Sequence, residues 1–291
     1  MSREPKLKTV KRRSMGQEAL SRLLRNRTAM FGLAILLLVI ILCALAGVIC
    51  PEGDNAQDPT RTFVSPGAEF LFGTDNLGRS LLARVLYGGR VSILIAFVST
   101  IISAILGIIL GTVAAYYGGV VDDVIMRIMD VFSAIPNLLL AIALAAILGS
   151  GVFNCMLAVG VAAVPHFARV VRAPILAVMN EQYIEVARSI DAKDRRIMFI
   201  HVLPNVLSPI IVQATTNLAQ AILMAASLSF LGLGVQAPNA EWGALLSSSR
   251  QYMRNYPYLT YIPGIAIASV VLSMNLFGDG VRDALDPRLK Y

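Results

Sequence analysis

The chain has 291 residues, of which 56% are apolar and only 15% charged, with 25 Lys and Arg against 18 Asp and Glu; its mean hydropathy is +0.69. That leaves too little polar sequence to cover a soluble globular surface. The net charge of +7 does not indicate nucleic acid, because the basic residues cluster beside apolar stretches, where the positive-inside rule accounts for them.

No Asp, Glu, Lys or Arg occurs between Arg27 and Glu52, Arg90 and Asp122, Asp130 and Arg169, Arg196 and Glu241, or Arg254 and Asp279. Each interval can cross a bilayer, which takes about 20 residues at ~1.5 Å rise. The third is split by Gly149-Ser150-Gly151 and holds two helices. The expected fold is therefore all-α, a polytopic membrane protein with six transmembrane helices at 29–50, 91–116, 131–149, 152–168, 207–229 and 259–278.

The basic segment 1–28 carries nine Lys or Arg against two acids and is placed in the cytoplasm. The apolar 29–50 is too long for a signal-peptide core and reads as a retained first helix. The external segment 51–90 opens with a Pro-, Asp- and Asn-rich loop. Within it, Phe70–Tyr87 is expected to hold a short amphipathic helix at the outer interface, with Leu77, Leu81, Leu82, Val85 and Leu86 around Arg79 and Arg84. Asp75 and Arg79 fit a local salt bridge or cap, the alternative being contact with an external partner.

In the second span, Ser99, Ser103, Gly107 and Gly111 recur every four residues. Such a stripe lets a neighbouring backbone approach, for packing within the bundle or for a moving gate contact. His166 follows Pro165 and is expected at a kinked helix end near the inner membrane edge. Arg169 and Arg172 anchor that end. In the fifth span Gln213, Asn217 and Gln220 share one face beside Thr216, lining a watery pathway or bonding to another helix. In the external segment 230–258, Trp242, Tyr252, Tyr256 and Tyr258 are expected at headgroup level. Residues 91–278 thus form a five-helix core, and 279–291 a cytoplasmic tail.

The internal segment 169–206 is basic, and its part 181–204 is compatible with two short amphipathic helices broken at Asp191-Ala192-Lys193-Asp194. Asp191 or Asp194 is available to cap the second. Cys43, Cys50 and Cys155 have no metal-like spacing and read as inert small hydrophobes. There is no GxxxxGK[ST] or HExxH, so no catalytic residue and no metal site is assigned.

The 181–204 segment resembles the EAA loop of ABC-importer permeases, with Glu185, Ala187, Leu203 and Pro204 at matching positions. Val186, Asp191 and His201 depart from it, Asp191 standing where Gly is usual. Gly73–Arg79, Tyr87–Ser92, Tyr116–Gly119, His201–Asn205, Ser229–Gly234 and Asp279–Arg288 extend the resemblance over nearly the whole chain. All are similar to the second permease subunit of dipeptide/oligopeptide/nickel importers. The resemblance implies the ABC type I importer permease fold, in a bacterial or archaeal cytoplasmic membrane with both termini inside. It further implies a homologous permease subunit, two cytoplasmic ABC ATPase subunits, an extracytoplasmic solute-binding protein and a short peptide cargo, with a nickel–chelator complex as the alternative. ATP and magnesium would sit on the ATPases, with no cofactor bound by this chain. Tyr183, Glu185, Ala187, Asp191, Ala192, Asp194, Leu203 and Pro204 would form the ATPase-coupling segment. In it Glu185 is expected to hold the loop's shape by bridging backbone N–H groups or a nearby Arg. An ion-gradient-driven transporter would call for ionisable groups within its spans, whereas every Asp, Glu, Lys and Arg lies outside the six expected spans.

Overall fold

The computed structural model describes residues 15–285; the first part of the basic segment, 1–14, and the end of the tail, 286–291, lie outside it. Its helices are α1 (Met15–Arg25), α2 (Arg27–Ala44), α3 (Ala46–Ile49), α4 (Leu81–Tyr117), α5 (Gly119–Ser133), α6 (Asn137–Leu148), α7 (Val152–Met179), α8 (Gln182–Ser189), α9 (Asp194–Arg196), α10 (Leu207–Phe230), α11 (Trp242–Ser249) and α12 (Tyr258–Leu285). From α9 the chain runs through a π-helical turn, Ile197–Val202, and a 3-10 turn, Leu203–Val206, into α10.

Five helical runs are long and apolar enough to cross a membrane: α2, α4, α7, Asp194–Phe230 and α12. The chain is therefore a multi-pass membrane protein with five to six apolar spans. The expected span 131–149 is instead a broken pair, α5 and α6, bent by 89°. Pro136 causes the break: it lacks an N–H, it sits at φ −52°, ψ 133°, and it disfavours helical geometry at Ile135. α6 alone reaches only about 18 Å, against an apolar layer of ~30 Å.

Three span boundaries also move. α4 begins at Leu81, so the separate interfacial helix expected within Phe70–Tyr87 is absent and its second half is the start of a span. Ser80 caps that start, its hydroxyl accepting from the Ala83 amide at 3.4 Å. α7 runs past Pro165 to Met179, so exposed His166 lies mid-helix and not at a kinked end. α12 continues past Asp279 to Leu285. Pairing explains why charge does not end α4 and α7. Arg90 donates to the Cys43 and Ala44 carbonyls at 2.6 and 2.7 Å, satisfying the open C-terminus of α2. Arg169 bonds Asp130 at 2.7 Å, and Arg172 holds both carboxylate oxygens of Asp122.

α4 and α7 form the broadest seam of the bundle. A Cβ at Gly107 would stand 2.7 Å from Phe167 Cβ, one at Gly111 2.5 Å from the Ala168 carbonyl, and one at Gly160 3.0 Å from the Ser99 carbonyl. Ser99 Oγ donates to the Met156 carbonyl at 3.0 Å. Small side chains thus let the two backbones touch, where dispersion replaces the hydrophobic drive that lipid cannot supply.

One end of the bundle is capped by the 51–80 loop. Asp75 accepts from the Leu77 and Arg79 amides at 2.9 and 3.0 Å and pairs with Arg79 Nε at 2.7 Å, while Arg84 Nε lies 3.8 Å away. All three residues are buried. The expected local pairing of Asp75 with Arg79 is present, and Arg84 also turns inward toward the same carboxylate. Nearby, the Thr60 hydroxyl and then its amide hold the Asp58 carboxyl below the usual carboxylate range.

The 230–258 segment also departs from expectation. Trp242 and Tyr258 are buried within the protein and do not face lipid or water: Trp242 Nε1 donates to the Val85 carbonyl at 2.9 Å, and the Tyr258 hydroxyl to the Thr74 carbonyl at 2.8 Å. Each ring's polar atom has an internal partner, which removes the reason to seek water. Glu241 is buried as well and N-caps α11, accepting from the Ala244 amide at 2.9 Å and from the Ser92 hydroxyl at 2.8 Å.

Candidate functional site

The 181–204 segment folds into a compact knob against the ends of α4 and α7. Ile184 and Ala187, three residues apart on α8, are buried in a cluster with Phe167, Val171, Ile175 and Ile197. The opposite side of α8 is bare, with Tyr183, Val186 and Ile190 exposed by 41%, 60% and 75%.

α8 ends in a Schellman turn: the Ala192 amide donates to the Ala187 carbonyl at 3.1 Å and the Asp191 amide to the Arg188 carbonyl at 3.0 Å. Asp191 occupies the left-handed position of that turn, at φ 55°, where glycine is usual because a Cβ strains the backbone. Asp191 thus closes α8 and does not cap α9. Nor does Asp194 cap: Lys193 is the cap residue without a side-chain bond, and Asp194 is the first residue of α9. Replacing Asp191 with Gly relieves backbone strain of ~1 kcal/mol but adds unfolded-chain entropy, so a net gain of about 0.5 kcal/mol in local stability is expected. Slower amide exchange at Asp191 and Ala192 would show it; faster exchange would contradict it.

The carboxylate of Asp194 is held from α4. The Tyr116 hydroxyl donates to it at 2.6 Å, and the Arg188 guanidinium lies over the Tyr116 ring at 5.7 Å. Glu185, expected to brace the loop from within, is exposed, and its carboxylate makes no hydrogen bond or ion pair among the described residues. The turn, the buried pair and Tyr116 brace the knob instead. Leu203 packs partly against the inner cluster, and Pro204 is exposed in the 3-10 turn that leads into α10. Between α8 and the π-helical turn runs a groove of about 570 Å³ lined by Tyr183, Val186, Ile190, Lys193, Arg196 and His201.

On α10 the amide face divides. Asn217 is buried and donates to Ser103 Oγ at 3.0 Å and Thr100 Oγ1 at 3.3 Å, while Ser103 Oγ donates to the Thr100 carbonyl at 3.0 Å. Gln213 is also buried; Gln220 and Thr216 are exposed. The structure thus joins Asn217 to the small-residue stripe, Ser103 serving α10 while Ser99, Gly107 and Gly111 serve α7. Three residues here escaped the sequence reading: Tyr116, Thr100 and Glu241. Tyr116 sits in the Tyr-Tyr-Gly-Gly run that carries part of the resemblance, but nothing in that run pointed to its contact with Asp194. Among the described residues no group of three His, Cys, Asp or Glu is placed to hold a metal ion, and all three cysteines are buried.

Residues 103–291 match the family described as "Binding-protein-dependent transport system inner membrane component", and residues 14–66 match the "N-terminal TM domain of oligopeptide transport permease C". The chain is 43% identical over 274 residues to the dipeptide transport system permease protein DppC of Alkalihalophilus pseudofirmus, covering 94% of this chain and 90% of that one. It is 42% identical over 279 residues to the glutathione transport system permease protein GsiD of Pectobacterium atrosepticum, covering 96% and 93%. Among solved structures, a chain of the inward-facing MetNI methionine ABC transporter superposes with a TM-score of 0.58 at 17% identity, covering 70% of this chain and 96% of that one. That last likeness speaks to fold alone.

Proposed function

The chain belongs to the binding-protein-dependent transport permease family, as a second permease subunit of the DppC/OppC peptide-importer type, and from that membership we propose how it works. It forms half of a pathway that passes short peptides across the cytoplasmic membrane, beside a homologous permease. Two ABC ATPases bind from the cytoplasm, where both termini lie, and a solute-binding protein delivers cargo outside. The α5–α6 pair counts as one bent span, which gives six. This chain is not itself an enzyme; hydrolysis and its ATP and magnesium belong to the ATPases.

The observation that supports this reading most is the knob at 181–204, rigid on its inner side and bare on its outer side. Tyr183, Val186 and Ile190 offer apolar contact to an ATPase cleft. Glu185, with no partner among the described residues, is free to pair with that ATPase. Co-purification tests the assembly directly. Recovery with a homologous permease and two ATPases supports it, whereas a transport-competent monomer overturns it. Mass spectrometry of the ligand retained by the solute-binding protein tests the cargo: a peptide is expected, and a nickel complex or a sugar would refute that choice.

Gln213, Asn217 and Gln220 remain the pathway candidates, but their environments assign them different duties. Asn217→Leu removes two interhelix hydrogen bonds and leaves Ser103 and Thr100 facing an alkyl group, a loss of about 0.6–1.7 kcal/mol in complex stability. Gln220→Leu should leave the melting temperature unchanged and lower peptide uptake, because exposed Gln220 offers an uncharged hydrogen-bonding group to passing cargo. Unchanged uptake in Gln220→Leu would remove it from the pathway.

A further inference from the structure

Two neighbouring features of α1 have no partner among the described residues. Leu23 packs inward, its Cδ1 3.4 Å from where a Cβ on Gly280 of α12 would stand. Leu20 and Leu24, one turn apart, are each 56% exposed. Arg25 projects roughly 140° around the helix from Leu20, and Arg22 lies near it on that far side. Arg61, Arg79, Arg84, Arg169 and Arg172 all stand within 4.0 Å of a carboxylate, but Arg22, Arg25 and Arg27 have no such partner among the described residues. α1 stops at Asn26, whose side chain caps α2 by accepting from the Ala29 amide at 3.2 Å. Immediately beyond, the outer face of the first span exposes Phe31, Leu37, Leu38 and Ile41.

We propose that α1 is a membrane-surface helix that binds anionic phospholipid in the leaflet where α2 begins. Leu20 and Leu24 enter the acyl boundary, while Arg22, Arg25 and Arg27 meet the headgroup phosphates. Two observations identify lipid as the occupant. The exposed leucines directly precede, across the Asn26 break, the exposed apolar residues of α2, which is long and apolar enough to span a membrane. The unpaired arginines follow a stretch with Arg3, Lys6, Lys8, Lys11, Arg12 and Arg13 against Glu4 alone, so the positive charge gathers at one membrane face. A zwitterionic surface also offers phosphates, but each is already balanced by its own ammonium group, so it lacks the net negative charge that draws a cluster of arginines. Lipid binding by α1 requires only that α2 cross the membrane and holds whatever the cargo.

The test uses the assembled transporter in phosphatidylcholine nanodiscs, with a fluorophore on Leu20→Cys; the native cysteines are buried. Spin-labelled phosphatidylglycerol or, in a parallel sample, spin-labelled phosphatidylcholine is added as quencher. Quenching by the phosphatidylglycerol probe should be stronger by roughly fivefold or more. Arg22→Gln, Arg25→Gln and Arg27→Gln together should bring the two probes close to parity. If the triple variant does not assemble, Arg25→Gln alone, at an exposed position, should reduce the difference severalfold. Equal quenching in the parent would overturn the proposal. So would absence of quenching by either probe, which would mean that a partner subunit covers α1, or loss of the difference in inorganic phosphate but not in chloride of equal ionic strength, which would mean a soluble-anion site.

Discussion

Asp75→Ala is expected to destabilise the 51–80 cap by about 3–5 kcal/mol, because it removes the carboxylate that stands within 4.0 Å of two buried guanidinium groups. Arg79 and Arg84 are 8% and 4% exposed. Arg79 spends Nε on Asp75. Arg84 has weaker local help, one nitrogen donating to the Asp54 carbonyl at 3.2 Å and to Asn55 at 3.3 Å, while its Nε has no hydrogen-bond partner among the described residues. The same carboxylate also closes the turn through the Leu77 and Arg79 amides. Alanine therefore removes an ion pair and a cap together. Asp75→Asn keeps an acceptor for the turn and should fall between the two. Thermal unfolding and limited proteolysis of the 51–80 loop in the purified complex read the effect. A variant that melts with the parent would mean that water reaches both arginines and the cluster contributes nothing.

Tyr116→Phe is expected to separate ATP hydrolysis from uptake. The Tyr116 hydroxyl is the polar link between α4 and Asp194 of the knob, and a hydrogen bond to a charged acceptor contributes about 1.5–3 kcal/mol. Without it the knob can shift while α4 stays in place. Peptide moved per ATP should drop roughly tenfold or more, since ~1.4 kcal/mol corresponds to one decade. Basal hydrolysis and the affinity for loaded binding protein should persist, which distinguishes lost transmission from misfolding. Asp194→Asn, which retains an acceptor, should recover part of the coupling. An unchanged transport-to-hydrolysis ratio in Tyr116→Phe would reject Tyr116 as the link.

Most of the membrane architecture was legible because burying unpaired charge in lipid is expensive, so charge-free intervals mark the spans. The same rule misplaced boundaries wherever a charge had a partner distant in sequence. Arg90 belongs to α4 because it reaches the end of α2, and Arg172 to α7 because Asp122 of α5 receives it; hydropathy alone carries neither pairing. The broken α5–α6 pair was signalled by Pro136, but the apolar run around it outweighed one residue. Trp242 misled for a related reason: its indole N–H meets Val85 and so needs no headgroup. In the knob, the Asp191 position was readable as one that wants positive φ, and the structure puts it at 55°. The role of Tyr116 was not readable, since its contact with Asp194 joins residues brought together only by the α4–α7 seam. Glu185 shows the opposite limit. Local chemistry suggested an internal brace, whereas its exposed position leaves that duty to other groups.

The most direct measurement is uptake of a labelled dipeptide or tripeptide into proteoliposomes. They would contain this chain, its homologous permease and both ATPases, with the solute-binding protein on the outside. Accumulation should require ATP and magnesium on the ATPase side, require the binding protein, and persist when ion gradients are collapsed. Accumulation that continues without ATP and stops when an ion gradient is dissipated would contradict the account. So would ATP-driven transport that excludes peptides and accepts only a nickel complex.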